Sequence, residues 1–464
     1  MSFIGRSAEL SKFENRYDSA NSELVFLYGR RRVGKTEFLR KFAEGKNAFF
    51  YSATESVDNE QRERFKQKML SFGFDGEPAL LNDWESMFRN LAKLRTAGRT
   101  LVIIDEFQYI FMGKKAVPSV LQNIWDEYLS KENIMLILCG SAMSFIEKKI
   151  LGSKNPLYGR ATAIFRMKEL PFEEASQFFP RYTLKEKIIA YSILGGTPFY
   201  LKQFSPDLSI EENIRKNILS DEAVLYNEIE FLLKQELRET ATYNTIISAV
   251  ALGNTKLNEI AQKTSMETAK VNVYLKNLID LSIVGKEYSI TDTVKKDANI
   301  RNGLYKISDK FFRFWYRFVY PNKNEIEIGD TGMLAREVTE IASTEHASIC
   351  FEELCAEHII KLNSLRKLPF KADRIGRAWG KAFEIDVGAT DGKSILLCEC
   401  KWTNSKVGTD ELSDLKEKAA SNRELANYKR YIFCLFSRSG FTKTLTENIT
   451  DDLILIDVND MFRV

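Results

Sequence analysis

A run of glycines, arginines and a lysine near the start of the chain has the residue types and spacing that bind phosphate groups. The run occupies Gly29, Arg30, Arg31, Arg32, Val33, Gly34, Lys35 and Thr36. The glycines let backbone N–H groups surround phosphate oxygens, the lysine reaches the outer phosphates, and the threonine hydroxyl is a ligand for Mg²⁺. We therefore predict that these eight residues bind ATP together with Mg²⁺.

Two acidic residues, Asp105 and Glu106, supply the remaining chemistry of this predicted site. They follow the apolar run Leu-Val-Ile-Ile at residues 101–104. An aspartate in this position holds the magnesium shell. The adjacent glutamate can polarise a water molecule for attack on the terminal phosphate. The acidic pair therefore favours hydrolysis of ATP over binding alone, with Glu106 as the base.

A second group of reactive side chains lies far along the chain, at Asp386, Glu399 and Lys401. The last two stand in the apolar stretch Leu-Leu-Cys-Glu-Cys-Lys-Trp at residues 396–402. Charges on a half-buried strand are costly unless they are paired or bound to a metal. Residues 383–387 alternate between apolar and acidic, which predicts another strand.

An Asp-Gly turn at residues 391–392 predicts that these two strands form an antiparallel hairpin. Asp386 and Glu399 would then be neighbours, and two such carboxylates resist ionising together unless a divalent cation neutralises them. Asp386, twelve intervening residues and Glu-x-Lys resemble the pattern of the PD-(D/E)xK nucleases. The resemblance implies that Asp386 and Glu399 hold Mg²⁺ with the backbone carbonyl of Cys400 as a further ligand, and that Lys401 orients the attacking water and stabilises charge at phosphorus. The alternative is that Glu399 and Lys401 only pair with each other or with surface charges.

A preceding helix from Ser343 onward is expected to provide a further carboxylate to this metal site. Glu352 is the first candidate because apolar residues flank it one turn away, and Glu353 is the runner-up. His346 and His358 do not complete a metal set, so we expect them to be hydrogen-bonded helix residues. Cys398 and Cys400 are expected to be small apolar residues of a core, and no zinc site is predicted.

The elements that position the first site are a strand at 24–28, a helix with Phe38, Leu39 and Phe42 at helical spacing, and further strands. An extra strand is predicted at 47–53. Another ends in Ser141, which either senses the terminal phosphate or simply caps its strand.

This order of motifs resembles the additional-strand P-loop ATPases of the AAA+/STAND group, in particular the archaeal-type ATPases. The resemblance covers about residues 1–230. Phe-Ile-Gly-Arg-Ser-Ala-Glu-Leu at residues 3–10 resembles a box that lies beside the adenine in that group. The resemblance implies that Gly5 and Arg6 contribute to the nucleotide site.

Two more segments extend the resemblance. Gly-Gly-Thr-Pro-Phe-Tyr at residues 195–200 resembles the Gly-Gly-x-Pro motif of the small helical subdomain, which implies that Pro198 approaches the nucleotide. Asn-Pro-Leu-Tyr-Gly-Arg at residues 155–160 resembles a segment whose arginine acts on the terminal phosphate. Arg160 is therefore either an arginine finger or a partner in a structural salt bridge.

Residues 257–287 have the rhythm of a winged helix-turn-helix, with a short helix, a longer helix and a hairpin. Lys263, Lys270 and Lys276 would be the candidates for DNA contacts, although such modules also serve protein–protein contacts. The aromatic segment that follows repeats at helical spacing and is expected to be core. Its residues are Phe311, Phe314, Trp315 and Phe318.

The far end of the chain, about residues 335–464, resembles the PD-(D/E)xK nucleases. Asp386, twelve intervening residues and Glu-x-Lys match their pattern, and the order helix, hairpin, helix, strand fits their core. This part also resembles a C-terminal domain of uncharacterised function that is often fused to archaeal-type ATPases.

The bulk composition is that of a globular protein, with 464 residues, 44% hydrophobic residues and a net charge of +3. No apolar run is long enough to cross a membrane and the N-terminus has no signal core, so we expect a cytoplasmic protein. Local excesses of basic residues at 255–325 and 360–408 fit a phosphate-bearing partner such as DNA. The resemblance implies either self-association, because AAA+-type arginine fingers act across subunits, or a monomer until activation, as in STAND proteins.

The sequence therefore predicts an α/β multidomain chain. Its parts are a P-loop NTPase with an additional strand at 1–230, a winged-helix-like module at 231–334, and a restriction-endonuclease-like α/β domain at 335–464. The predicted function is ATP hydrolysis coupled to metal-dependent DNA binding or cleavage. The alternative is a nucleotide-driven switch whose C-terminal domain only binds DNA or a protein.

Overall fold

The computed structural model of the protein describes residues 3–94, 98–141, 146, 157–292, 303–426 and 428–463. The chain forms two units. The first comprises the residues up to Leu170 together with Thr197–Phe199, and the second comprises Pro171–Gly196 and Tyr200–Val464. The three-domain division remains a prediction.

The first unit is built on a parallel sheet. Its strands are β1 (Glu23–Tyr28), β2 (Ala48–Ser52), β3 (Thr100–Asp105), β4 (Ile134–Gly140) and β5 (Ala163–Arg166). Its helices are α1 (Ser7–Tyr17), α2 (Lys35–Ala43), α3 (Asp58–Phe72), α4 (Trp84–Arg89), α5 (Gln108–Gly113) and α6 (Val117–Glu127). The predicted strands and the helix after the glycine-rich loop are confirmed.

The strand order in this sheet is β2-β3-β4-β1-β5, with every pairing parallel. Strands β1, β3 and β4 are buried at every residue, as expected where helices cover both faces of a parallel sheet. The predicted extra strand, β2, lies at the edge of the sheet. Strand β4 lies between β1, which leads into the glycine-rich loop, and β3, which ends in the acidic pair. The residues that follow β1, β3 and β4 therefore meet at one edge of the sheet.

The second unit carries the remaining elements. Its helices are α7 (Phe172–Ala175), α8 (Leu184–Leu194), α9 (Pro198–Leu201), α10 (Ile210–Asn217), α11 (Val224–Glu236), α12 (Thr240–Ala251), α13 (Leu257–Thr264), α14 (Thr268–Asp280), α15 (Lys310–Phe314), α16 (Lys323–Ile328), α17 (Gly332–Ile341), α18 (Ala347–Ser364), α19 (Thr409–Ser421) and α20 (Lys443–Glu447). The first two residues of α9 belong to the first unit. Its strands are β6 (Val284–Glu287), β7 (Leu304–Ile307), β8 (Arg374–Trp379), β9 (Glu384–Thr390), β10 (Ser394–Lys401), β11 (Arg430–Ser437) and β12 (Leu453–Asp457).

The middle of the chain folds as three helices followed by a hairpin. Helices α12, α13 and α14 precede β6 and β7, which pair antiparallel. The apolar stripe predicted for the longer helix is buried, at Val271, Tyr274, Leu275 and Leu278. The aromatic residues predicted to be core are also buried, which confirms that interpretation: Phe311, Phe314, Trp315 and Phe318.

The C-terminal sheet has the order β12-β11-β10-β9-β8. Strands β8, β9 and β10 are antiparallel neighbours, which confirms the predicted hairpin, whereas β10, β11 and β12 run parallel. Helix α18 precedes this sheet, and α19 makes the crossover between the parallel strands β10 and β11.

Strand β10 is covered on both faces. Ile395 and Leu397 share a core cluster with Leu415 of α19. On the other face Trp402, just beyond the strand, lies 5.2 Å from Phe351 of α18, measured between ring centroids. Both cysteines of the strand, Cys398 and Cys400, are buried and free, which confirms the apolar reading. Glu399 therefore shares the α19 face.

The segment after β6 is joined to the edge strand β8. The backbone N–H of Ile290 donates a 3.1 Å hydrogen bond to the carbonyl of Arg377. The side chain of Ile290 is 5% exposed and belongs to the core of the C-terminal sheet. A methyl group added at Gly388 would stand 2.5 Å from Cδ1 of Ile290. The glycine therefore provides the space into which the isoleucine packs.

None of the helices in the described ranges combines the length and the apolar character that a membrane crossing requires.

Candidate functional site

The loop between β1 and α2 has the geometry of a phosphate-binding loop. A side chain at Gly29 would clash with the carbonyl of Met167, and Gly34 has a φ of +89°, which favours glycine. The position that a Cβ of Gly34 would take lies 3.6 Å from Cγ of Pro198. The structure therefore places Pro198 directly against the loop.

Lys35 curls back over the loop from the start of α2. Its Nζ donates hydrogen bonds of 2.7 Å to the carbonyl of Gly29 and 2.9 Å to that of Arg30. The residue is 6% exposed, and burial lowers the pKa of its ammonium group. An anionic ligand at the loop would therefore find a poorly hydrated cation, which strengthens their attraction.

Thr36 and Asp105 bring the ends of β1 and β3 together. The Thr36 hydroxyl donates a 2.6 Å hydrogen bond to Oδ2 of Asp105, and the N–H of Glu106 donates a 3.0 Å bond to Oδ1. A hydroxyl and a carboxylate oxygen are hard donors, which Mg²⁺ prefers. These residues therefore fit a magnesium ion that keeps several water ligands.

Glu106 is held by two donors on one oxygen. The Ser141 hydroxyl donates a 2.7 Å hydrogen bond to Oε2, and Nε2 of Gln108 donates to the same atom. Glu106 itself has a φ of 53°, a left-handed conformation that a non-glycine residue rarely adopts. Sequence reasoning missed Gln108, because a glutamine in the first turn of a helix carries no motif of its own.

The other residues predicted around the nucleotide have structural contacts. Nη2 of Arg6 donates to the carbonyls of Val33 (3.2 Å) and Lys168 (2.6 Å), so this arginine braces the loop from outside. Gly5 precedes it with a φ of 74°. The guanidinium of Arg32 lies 4.0 Å from the centroid of the Phe199 ring, which fixes the loop beside Pro198.

Arg160 makes a bidentate ion pair with Asp126 at the end of α6. Its Nη2 lies 2.8 Å from Oδ2, and its Nε lies 3.1 Å from both carboxylate oxygens. The structure therefore shows the salt bridge that the sequence left open. Residues 155 and 156 of the same segment lie outside the described residues, and the finger role stays a prediction.

In the second unit, Asp386 lies across the hairpin from β10. Its Oδ2 accepts a 2.8 Å hydrogen bond from the backbone N–H of Cys400, next to Glu399. Burial, together with the negative charge of Glu399, raises the pKa of Asp386 to about 6. The structure thus brings the two predicted carboxylates of the hairpin together.

Glu399 is paired with two lysines. Nζ of Lys401 lies 2.7 Å from Oε1, and Nζ of Lys418 lies 3.1 Å from Oε2. Burial alone would raise the pKa of Glu399, but the hydrogen bonds and charges of these lysines outweigh it, so the pKa lies below its usual value. Sequence reasoning missed Lys418. The sequence does contain a signal that could have indicated it, because Lys418 falls on the apolar stripe of α19.

The two neighbouring glutamates of α18 have different roles. Glu353 pairs with Arg313 at 2.8 Å and Lys310 at 3.0 Å; burial raises its pKa, but these cations more than offset that and hold it well below its usual value. Both glutamates line a cavity of about 270 Å³ together with Asp386. Burial and the charge of Asp386 raise the pKa of Glu352 to about 8.

Within the described ranges, no group of three or more His, Cys, Asp or Glu residues is arranged to hold a metal ion. Asp386 and Glu399 supply carboxylate oxygens, hard donors that Mg²⁺ accepts together with water and substrate oxygens. His346 and His358 donate to the carbonyls of Ser192 (2.8 Å) and Met461 (3.1 Å), which confirms them as hydrogen-bonded helix residues.

Comparisons with known proteins place these sites in a family. Residues 3–204 match the model of an ATPase domain predominantly from Archaea, and residues 315–419 match that of archaeal and bacterial proteins of unknown function. An uncharacterized protein of Methanocaldococcus jannaschii is 33% identical over 409 residues, which cover 87% of this chain and 88% of that protein. The chain belongs to the family of this archaeal protein. Its first domain is an archaeal-type ATPase domain, which confirms that resemblance.

One solved structure supports the fold of the ATPase part: the Walker-type ATPase of Pyrococcus abyssi superposes with a TM-score of 0.50 at 22% identity, over 68% of this chain and 96% of that chain. A weaker similarity, from which no conclusion is drawn, is to the ORC2 protein of Aeropyrum pernix, with a TM-score of 0.42 at 12% identity, over 73% and 95%. For the C-terminal domain, the predicted relation to nucleases remains a prediction.

Proposed function

We propose that the protein binds ATP with Mg²⁺ in its first unit and hydrolyses it. The observation that carries the proposal is the 2.6 Å hydrogen bond between Thr36 and Asp105, with Glu106 beside it. It supports one shared site for the loop after β1 and the acidic end of β3, although β4 lies between the two strands.

Each residue then has a distinct task in hydrolysis. The loop N–H groups and Lys35 hold the phosphates, and Glu106 accepts a proton from the water that attacks the terminal phosphorus. The new oxygen–phosphorus bond forms as the bond to the bridging oxygen breaks, and ADP is released. When bound by Thr36 and Asp105, magnesium neutralises charge on the phosphates.

Two variants test this proposal. Lys35→Ala should abolish tight ATP binding in calorimetry, whereas Glu106→Gln should keep binding and lose turnover. Lys41→Ala is a matched control, because this lysine of the same helix pairs with Glu44 on the surface. Normal hydrolysis in the Glu106→Gln protein would remove that residue from the role of base.

For the second unit we propose a metal-dependent site that cleaves DNA, formed by Asp386, Glu399 and Lys401. The supporting observation is the 2.8 Å bond from the Cys400 N–H to Asp386, which sets one carboxylate beside the other in a hairpin. The hairpin stands between helices α18 and α19 and is followed by β11, the element order of the PD-(D/E)xK core.

The proposed reaction is hydrolysis of a backbone phosphodiester. Lys401 orients the attacking water, whose oxygen forms the new bond to phosphorus, and the bond to the departing oxygen breaks as that oxygen takes up the proton that the water loses. Asp386 and Glu399 would hold Mg²⁺, which would neutralise charge at the phosphate. The cavity that Glu352 lines together with Asp386 supports Glu352 as the further carboxylate proposed for this metal site.

The competing proposal is a nucleotide-driven switch without cleavage. Its support comes from the winged-helix-like module of α12–α14, β6 and β7. The end of its hairpin packs into the C-terminal sheet through Ile290, as expected of a module that makes protein contacts. Lys263, Lys270 and Lys276 are nevertheless exposed and remain proposed DNA contacts. Self-association and a cytoplasmic location are likewise proposals.

Cleavage assays separate the two proposals. The wild-type protein should cut DNA with Mg²⁺ or Mn²⁺ and stop when the metal is chelated. Lys401→Ala should lose about two to four powers of ten in rate while keeping metal binding, and Asp386→Ala should lose both. If the folded protein cuts no DNA with any metal or nucleotide, the switch is correct. If the variants unfold, the Glu399–Lys401 pair is structural.

A further inference from the structure

Lys418 of α19 shares the carboxylate of Glu399 with Lys401. One lysine lies 3.1 Å from Oε2 and the other 2.7 Å from Oε1, so each oxygen has its own ammonium group. The two lysines come from different elements, because Lys401 ends strand β10 and Lys418 lies in the following helix. Strand β10 thus supplies the ion-pair partner of one Glu399 oxygen, and helix α19 supplies that of the other.

The position of Lys418 on its helix directs it towards the sheet. It lies on the same stripe as Leu415 and Ala419, which are buried in the core of the C-terminal domain. Lys418 keeps 38% of its side chain exposed, so its aliphatic part packs along this stripe while its ammonium group reaches Glu399. Lys416, two residues earlier, is 45% exposed and its Nζ lies 4.0 Å from Asp452 instead. Of these two helix lysines, Lys418 is therefore the one that belongs to the site.

A bound divalent cation would change which charged groups of this site are paired with one another. Asp386 and Glu399 carry two potential negative charges, and Lys401 and Lys418 carry two positive ones. A divalent cation bound by the carboxylates competes with the ammonium groups for the same oxygens. Both lysines then lie beside the carboxylates without their counterion, and a phosphodiester, which is anionic and offers non-bridging oxygens, matches this arrangement.

We propose that Lys418 is a second phosphate-binding residue of this site. While Glu399 holds no cation, Lys418 forms an ion pair with that carboxylate. When Glu399 binds a divalent cation, Lys418 binds a non-bridging oxygen of a DNA phosphodiester instead. The inference rests on the proposed function of Asp386, Glu399 and Lys401. It leaves Lys401 to orient the attacking water and gives the substrate phosphate a contact of its own.

Two binding measurements on the full chain test this role without cleavage. Calorimetry gives the affinity for Mn²⁺, and anisotropy in Ca²⁺ over a salt series gives that for a short fluorescein-labelled DNA duplex. Lys418→Met should bind Mn²⁺ about three- to tenfold more tightly, because a competing charge is gone. It should bind the duplex about tenfold more weakly, with a salt slope reduced by about one.

The controls keep the roles apart. Lys418→Arg should bind the duplex like wild type because its charge is kept, and Lys416→Met should change neither affinity. If Lys418→Met unfolds earlier than wild type on heating, Lys418→Gln takes its place.

Tighter Mn²⁺ binding with unchanged duplex affinity would make Lys418 a counterion of Glu399 only and overturn the inference. Unchanged values in both measurements would overturn it as well. A wild-type protein that binds no Mn²⁺ would instead remove the proposed cleavage site, and this inference with it.

Discussion

The hydroxyl of Ser141 donates a 2.7 Å hydrogen bond to Oε2 of Glu106, although the two residues follow different strands. Gln108 donates to the same oxygen from the first turn of α5. Because β3 and β4 are parallel neighbours, their ends bring the proposed base and both of its donors to one point. The orientation of Glu106 is thus set by residues outside the acidic motif.

The first prediction concerns these two donors. Gln108→Ala should lower kcat for ATP hydrolysis about ten- to hundredfold with little change in KM, because Glu106 loses its orientation. Ser141→Ala should also raise KM for ATP but leave ADP affinity unchanged if the serine senses the terminal phosphate. Steady-state kinetics checks both, with exposed Ser130→Ala as the control. An unchanged kcat in Gln108→Ala would show that Glu106 needs no positioning.

The second prediction separates the two roles of Arg160. As an arginine finger, it should lose about a thousandfold in kcat when changed to Ala, whereas Asp126→Ala should keep activity because the arginine is only released from its ion pair. The measurement is kcat as a function of protein concentration, since a finger acts across subunits. Equal losses in the two variants would identify a structural salt bridge instead.

The third prediction is a pH dependence of stability in the second unit. The folded-state pKa values of Glu352 and Asp386, about 8 and about 6, lie above the ordinary values of about 4. Between the ordinary pKa and the folded-state pKa of each residue, the folded state binds more protons than the unfolded chain. The free energy of unfolding therefore falls as pH rises through this range. Burial lowers the pKa of His346 to about 3, so above about pH 6.5 this histidine is neutral in both states and does not interfere.

Glu352→Gln should therefore flatten the fall in stability between about pH 6.5 and 8.5 and make the protein more stable at the upper end. Urea unfolding at the two pH values measures this. Glu357→Gln, an exposed residue of the same helix, is the control. Identical slopes for wild type and Glu352→Gln would show that Glu352 titrates at its ordinary pKa.

The fourth prediction concerns the contact between the hairpin segment and the C-terminal sheet. Ile290→Ala should reduce the free energy of unfolding by about 2–4 kcal/mol, because a buried side chain leaves a cavity beside Gly388. Ile328→Ala should change it by less than about 0.5 kcal/mol, since Ile328 is 81% exposed. Urea titrations compare the two, and equal effects would mean that Ile290 does not hold the hairpin in place.

The sequence was sufficient wherever the chemistry is local. The loop from Gly29 to Thr36 needs consecutive residues on one turn, so its motif can be read without knowing the fold. The hairpin of Asp386 and Glu399 joins strands separated by a short turn, and alternation along β10 predicts which residues share a face. These features depend on neighbours in sequence, and the structure shows them where the sequence predicted them.

Packing between distant elements decided the rest. Glu352 and Glu353 are adjacent on one helix and point about 100° apart. Both line the same cavity, and the cations Arg313 and Lys310 determine that Glu353 is the one in an ion pair. Lys418 reaches Glu399 because α19 crosses over β10, and Arg160 meets Asp126 across a long stretch of sequence. A side chain's partner depends on where its element is placed, and that placement is set by burial of the whole apolar core, which no single motif encodes.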